Sequence, residues 1–197
     1  MNTDPDFLSA AYWDERYRQQ QTGWDIGAAS GPLKAYIDQL TDKTQRILIP
    51  GAGNAYEAVY LAEKGFTHIT IIDISAVLTS RLQEKLGNRY PSITILTGNF
   101  FELVGTFDLI LEQTFFCALH PSLRIDYIRK MKSLLSGNGT LAGLLFNREF
   151  EQSPPFGGNS EAYRQLFSTA FRMLLLEPCY NSIPARAGTE LFFIAKP

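Results

Sequence analysis

Cysteine and histidine are nearly missing from this chain, with two of each among 197 residues. Cys117 and Cys179 do not make a disulfide framework, and neither sits in a CxxC spacing, so no metal site is expected. Both read as small buried hydrophobes in a reducing compartment. His68 precedes an apolar run and His120 precedes Pro121. Neither belongs to a visible catalytic dyad, so His68 reads as exposed and His120 as a turn residue. A dominant charge is missing too. A net charge of −2 and a pI near 5.7 give no reason to expect nucleic acid as a partner. The start, Met1-Asn2-Thr3-Asp4-Pro5-Asp6, lacks the basic residues and apolar core of a secretory signal. No apolar run approaches the roughly 20 residues needed to span a bilayer, so no membrane partner is expected either. With no repeat, low-complexity tract or linker, the expectation is one cytoplasmic domain over residues 1–197.

What is present is a regular alternation. Hydrophobic residues make up 45% of the chain and charged residues 19%, which is ordinary for a globular protein. Apolar runs at Ile47–Ile49, Ile69–Ile72, Ile93–Leu96, Phe107–Leu111 and Thr140–Phe146 are separated by helical stretches, the pattern of an α/β sheet. Ser75 is placed to cap a helix running to about Leu86. A turn-helix is expected from Glu112 to Leu119. From Ser122 to Leu135, Ile125, Ile128, Met131 and Leu135 recur at helical spacing and predict a core face. Gly137-Asn138-Gly139 is expected to turn the chain into the fifth strand. Phe171–Glu177 and Glu190–Ala195 predict a late hairpin that adds one antiparallel strand to a parallel sheet. Outside this pattern stand a helix over Ser9–Gln21 and a Pro/Gly loop over Glu151–Gly158, the kind of segments that form lids or substrate walls.

Chemistry concentrates between Ile47 and Asp73. A buried strand runs into Gly51-Ala52-Gly53, then a helix, then a strand ending in Asp73. The glycines let the backbone pass close to a ligand without Cβ interference. Asp73, 20 residues after Gly53, falls where a carboxylate accepts from ribose hydroxyls. Two large cofactor classes use such a unit, the nicotinamide or flavin nucleotides and S-adenosylmethionine. Dehydrogenases favour a third glycine beside the pyrophosphate, where this chain has Tyr56. Adenosylmethionine carries no phosphate and makes no such demand. Its adenine needs an apolar wall and a polar edge after the third strand, which Phe100 and Asn99 supply.

A second set of residues carries a resemblance. Tyr12-Trp13-Asp14-Glu15-Arg16-Tyr17, Thr22-Gly23-Trp24-Asp25-Ile26-Gly27, Phe107-Asp108-Leu109-Ile110, Phe115-Phe116-Cys117-Ala118-Leu119-His120-Pro121 and Pro154-Pro155-Phe156 occur in order over nearly the whole chain. Together they resemble the thiopurine and halide/thiol methyltransferase family, and the Phe-Phe-Cys-Ala block leans toward the plant-like halide/thiol branch. The resemblance implies a Rossmann-like class I fold with a mostly parallel seven-stranded sheet, one antiparallel strand near the C-terminus, helices on both faces, and an N-terminal helical lid over residues 1–30. It implies that Trp13, Tyr17 and Trp24 close over S-adenosylmethionine. Gly51 would make the backbone contact, Asp73 would hold the ribose, and Asn99 with Phe100 the adenine. Gln113 falls at a cofactor-proximal position that is Arg in thiopurine enzymes and often Tyr in the halide branch.

Each residue also has a plainer reading. Trp13 and Trp24 could instead be core aromatics, Asp73 a helix N-cap, and Asn99 a turn residue. Phe115 and Phe116 are adjacent, so they cannot both face the same way, and one is expected to line the substrate pocket. Trp24 and Phe156 are the other expected substrate contacts, although the Pro154-Pro155-Phe156 loop also reads as a rigid connector. The expected activity is in-line methyl transfer to a small soft nucleophile (a thiol, hydrosulfide, halide or thiopurine-like compound). This chemistry needs no general base, and no catalytic residue is assigned. The competing readings are a non-catalytic nucleoside-binding protein of the same fold and an NAD-dependent oxidoreductase. A monomer is expected.

Overall fold

The computed structural model describes residues 8–197, so the first seven residues of the expected 1–30 lid lie outside the described residues. The strands are β1 Arg46–Pro50, β2 His68–Asp73, β3 Ile93–Thr97, β4 Phe107–Glu112, β5 Leu135–Phe146, β6 Arg172–Pro178 and β7 Glu190–Lys196. The helices are α1 Ala10–Arg18, α2 Gly31–Ile37, α3 Tyr56–Glu63, α4 Ala76–Leu86, α5 Arg124–Leu134 and α6 Ser160–Ser168. All seven strands form one sheet in the order β3-β2-β1-β4-β5-β7-β6. Neighbours from β3 to β5 pair in parallel, and β7 runs antiparallel to both β5 and β6. The expected mostly parallel sheet with one antiparallel strand is the observed one.

The apolar runs lack polar alternation because both faces of the sheet are covered. Along β1, Ile47 and Ile49 join one buried cluster and Leu48 joins the other, as the period of two demands. The same split places Leu109 and Leu111 against Ile110 in β4. One cluster is completed by Leu33 and Ile37 of α2, Ala58 and Leu61 of α3, and Leu78, Leu82 and Leu86 of α4. The other takes Tyr127, Ile128, Met131 and Leu134 of α5 with Tyr163 and Phe167 of α6. Ser75 caps α4 as expected, its Oγ accepting from Leu78 N at 3.1 Å.

Three local expectations differ from the structure. Gly137-Asn138-Gly139 does not precede the fifth strand; it lies within β5, which starts at Leu135. Phe107 pairs with Leu135 and Leu109 with Thr140, so residues 136–139 bulge opposite Asp108. A Cβ on Gly139 would stand 3.0 Å from Ser136 O and 3.1 Å from Phe107 O, a crowding that glycine avoids. Ile125 is 44% exposed, and the core face of α5 is Tyr127, Ile128, Met131 and Leu134. Buried Tyr127 sets that face, because its hydroxyl donates to Glu112 inside the protein. The stretch expected as a turn-helix from Glu112 to Leu119 holds only a 3₁₀ turn at Phe116–Ala118.

Candidate functional site

The carboxyl ends of the parallel strands form the floor of a cavity of about 1060 Å³. Ligands of open α/β sheets bind at this edge, near the point where strand order reverses. Here that point lies between β1 and β4. The floor is built from Gly51 after β1, Asp73 at the end of β2, Asn99 and Phe100 after β3, and Thr114 and Phe115 after β4. Trp13, Arg16, Tyr17 and Trp24 wall it from the N-terminal side, and Arg148, Pro154, Pro155 and Arg186 from the opposite side.

Gly51 adopts φ +58°, and its N–H donates to Ile72 O at 2.8 Å, which holds the turn beside β2. A Cβ there would collide with the Phe115 ring, so the close approach of turn and ring requires glycine. Asp73 is not a helix N-cap, since Ser75 has that role. The Asp73 Oδ1 accepts from Ser75 N at 2.9 Å. Burial raises the proton affinity of this carboxyl to a pKa of about 6, although backbone N–H groups of Ser75, Gly53 and Ile74 oppose the shift.

The N-terminal segment reaches this floor through polar anchors absent from the sequence reading. Asp14 Oδ1 accepts from Ser75 Oγ at 2.6 Å and from Val77 N at 3.0 Å, tying α1 to the start of α4. Arg81 donates to Tyr17 O at 3.0 Å, and Asn54 Nδ2 donates to Asp25. Arg186 donates to Trp24 O at 2.8 Å and pairs with Glu190 at 3.4 Å. So held, the ring of Trp24 meets Trp13 at 5.5 Å and Tyr17 at 5.8 Å, both edge to face. Burial, and after it the charge of Asp73, keeps the Tyr17 phenol protonated well above its ordinary range.

Not every expected site residue enters the wall. Trp13, Tyr17, Trp24, Gly51, Asp73, Asn99, Phe100 and Phe115 line the cavity; Gly53, Gln113, Phe116 and Phe156 do not. Gly53 shapes the turn at φ +51° from outside it. Gln113 points its Oε1 into the protein, where the atom is buried without a partner. Of the two adjacent rings it is Phe115 that faces the cavity. Phe116 is 1% exposed and packs against Tyr127 and Tyr163 in the core, with the Arg124 guanidinium 4.9 Å from its centroid. Phe156 stacks edge-on to His120 at 5.6 Å, while Pro154 and Pro155 of the same loop form the wall. Asn99 keeps its turn role, since its Oδ1 accepts from Phe101 N at 3.0 Å.

The sequence reading also missed the charge of the wall. Among the described residues, three arginines (Arg16, Arg148 and Arg186) and one carboxylate, Asp73, line the cavity, and Arg186 is already paired with Glu190. The Nε of Arg16 is buried without a partner. His120 engages Ser122 Oγ through Nδ1 at 2.8 Å, and Cys117 donates to Thr114 O at 3.3 Å. Burial, reinforced by the charge of Glu112, keeps the Cys117 thiol protonated. Among the described residues no cluster of three metal-ligating side chains occurs, and no helix is long and apolar enough to cross a membrane.

A probable thiol methyltransferase 2 of Arabidopsis thaliana is 28% identical over 188 residues, covering 92% of this chain and 83% of that protein. A thiopurine S-methyltransferase of Acinetobacter baylyi is 26% identical over 192 residues, covering 84% of this chain and 87% of its own. Among solved structures, the Burkholderia thailandensis 1,6-didemethyltoxoflavin-N1-methyltransferase, with S-adenosylhomocysteine bound, superposes with a TM-score of 0.76. It is 18% identical, covers 95% of this chain and 86% of its own, and shares the fold. The family model for thiopurine S-methyltransferase matches residues 8–186. The chain therefore belongs to the thiopurine S-methyltransferase family of S-adenosylmethionine-dependent methyltransferases.

Proposed function

We propose that the protein methylates a small, soft, anionic nucleophile (a thiolate, hydrosulfide, halide or thiopurine-like anion) in this cavity. The observation that carries the reading is the wall itself: among the described residues it joins aromatic side chains to three arginines and one carboxylate, Asp73. The residues present fit the cofactor. Asp73 would offer a carboxylate to ribose hydroxyls, the Gly51 backbone would border the amino-acid end, and Phe100 with Asn99 would border the adenine. Trp13, Tyr17 and Trp24 cover it. Adenosylmethionine supplies a methyl group on a cationic sulfur, open to in-line displacement by a nucleophile.

The rest falls to the chain. Phe115, Trp13 and Trp24 exclude water, which otherwise stabilises a small anion more than its transition state. Aromatic faces near a sulfonium contribute roughly 0.5–2 kcal/mol. Arg16 and Arg148 raise the local concentration of anions, an effect that salt screens. Alignment of the two partners supplies the largest part, up to about 7–11 kcal/mol where the bound geometry is close to attack.

An acceptor panel with labelled adenosylmethionine tests this reading. Iodide, hydrosulfide, thiocyanate, aromatic thiols and thiopurines are compared with neutral amines and alcohols. At least one anionic acceptor is expected to turn over faster than every neutral one, and faster at low salt. Turnover of neutral acceptors alone overturns the reading, and cofactor binding without any turnover favours a non-catalytic role.

The state of Asp73 gives a separate pH prediction. Its pKa of about 6 in the free protein lies above the ordinary value of 3.8, so the carboxylate is fully ionised only above about pH 7. S-adenosylhomocysteine affinity is expected to be flat from pH 7 to 8.5 and to fall as pH drops through 6. Calorimetric titrations across that window check it. Affinity unchanged down to pH 5 would show that ionised Asp73 is not a ligand.

A further inference from the structure

Glu112 ends β4 with a fully buried side chain, and no cation among the described residues pairs with it. Its Oε1 accepts from Phe115 N at 2.8 Å and from Phe116 N at 2.9 Å. Its Oε2 accepts from the Tyr127 hydroxyl at 2.8 Å. Three donors thus converge on one carboxylate just beneath the cavity. A buried charge is tolerated only when it is hydrogen-bonded in this way.

The turn that Glu112 holds is not relaxed. Thr114 adopts φ +57°, an uncommon conformation for a β-branched residue. That twist sends Phe115 into the cavity wall and Phe116 into the core. The Phe115 ring then lies beside Gly51 and 5.1 Å from the Phe100 ring. On the far side, Gly143 has no space for a Cβ because the Cβ and carbonyl of Glu112 fill it. The carboxylate therefore has a fixed place, and the aromatic wall takes its position from it.

We propose that Glu112 is a positioning residue for methyl transfer, its carboxylate fixing the Phe115 wall through the backbone N–H groups of Phe115 and Phe116. This rests on the methyltransferase reading above. Burial raises the proton affinity of the carboxyl to a pKa of about 7, against the three donors that favour its ionised form. The titratable groups facing it are Tyr127 from α5 and Cys117 from the 3₁₀ turn, both held protonated. Beyond Cys117 lie Arg186 and Glu190. Near neutral pH the wall therefore has two states, one firmly held by a carboxylate and one with a weaker acceptor.

The test uses Glu112→Gln, whose amide oxygen can still accept from both backbone N–H groups. Tyr127→Phe is the second variant; it removes one donor and leaves the charge. Kinetics are run at saturating cofactor with iodide or thiocyanate, which do not titrate between pH 5 and 9. In the wild type, kcat is expected to fall on the acid side of about pH 7. E112Q should lose that limb and at least tenfold in kcat at pH 8, while binding S-adenosylhomocysteine within threefold of wild type. Y127F should move the limb to higher pH. The amide nitrogen shifts of Phe115 and Phe116 should titrate together in the wild type and stay flat in E112Q. A kcat within twofold of wild type at every pH in E112Q overturns the proposal, as do flat amide shifts in the wild type. Absence of wild-type turnover speaks against the function proposed above, and the amide titration then decides the role of Glu112 alone.

Discussion

Asp73→Ala is expected to weaken S-adenosylhomocysteine binding by at least tenfold at pH 8, with little change in thermal stability. A hydrogen bond to a charged acceptor contributes about 1.5–3 kcal/mol, and about 1.4 kcal/mol is tenfold in affinity. One lost ribose hydroxyl contact thus suffices for the effect. Stability changes little because two terms oppose each other. Ser75 N loses its acceptor at the entry to α4. Against that, burial disfavours the ionised carboxylate, whose pKa of about 6 stands above its ordinary 3.8. Stability linked to that raised pKa is present below about pH 4 and lost as pH rises through 6, so removing the group at pH 8 removes a penalty. Calorimetry gives the affinity and a thermal melt the stability. Affinity within twofold of wild type would reduce Asp73 to a brace for the Ser75 turn.

Arg186→Ala acts in the opposite way, on stability first. The guanidinium side chain is 12% exposed and its partner Glu190 is 4% exposed. Its other arm donates to Trp24 O, 162 residues away in sequence. Its positive charge also acts on the buried carboxyl of Glu57. Removing one partner of a buried ion pair costs about 3–5 kcal/mol, because the other charge is left uncompensated. For a chain of this size that corresponds to a loss of roughly 10 °C in melting temperature. Adding Glu190→Gln to the variant should recover part of the loss. The Trp24 carbonyl stays unpaired in both, so turnover of an anionic acceptor should remain low even after that rescue. A melting temperature within 2 °C of wild type in R186A would show that the pair contributes nothing, as exposed pairs do.

The sequence carried the sheet and the floor of the site because their signals are local. A strand, a glycine turn, a helix and a second strand ending in Asp73 are contiguous, and each has a periodicity or a residue type that only one conformation uses. Ser75 was legible as a cap for the same reason. Two helices were not legible, α2 and α6, with seven and nine residues. Each buries only two or three apolar side chains, too few to set a period apart from chance. Their caps were nevertheless written in the chain, Pro32 in the first turn of α2 and Asn159 before α6.

The wall was harder, because it is assembled from distant loops. Arg16, Arg148 and Arg186 share no spacing, and only the closed fold brings them to one cavity. The resemblance pointed to aromatic residues that line the cavity, but it could not separate Phe115 from Phe116. That choice is made by Glu112, whose bonds to two backbone N–H groups decide which ring turns inward. Gln113 and Phe156 were placed by analogy of position, and here they fall behind the wall rather than in it.

The central claim is that this cavity holds adenosylmethionine rather than a dinucleotide. Calorimetric titration of the full chain with S-adenosylhomocysteine, and separately with NAD, tests it most directly. One-site binding of S-adenosylhomocysteine with no heat from NAD is the predicted result. Binding of NAD, or of neither ligand, would contradict it.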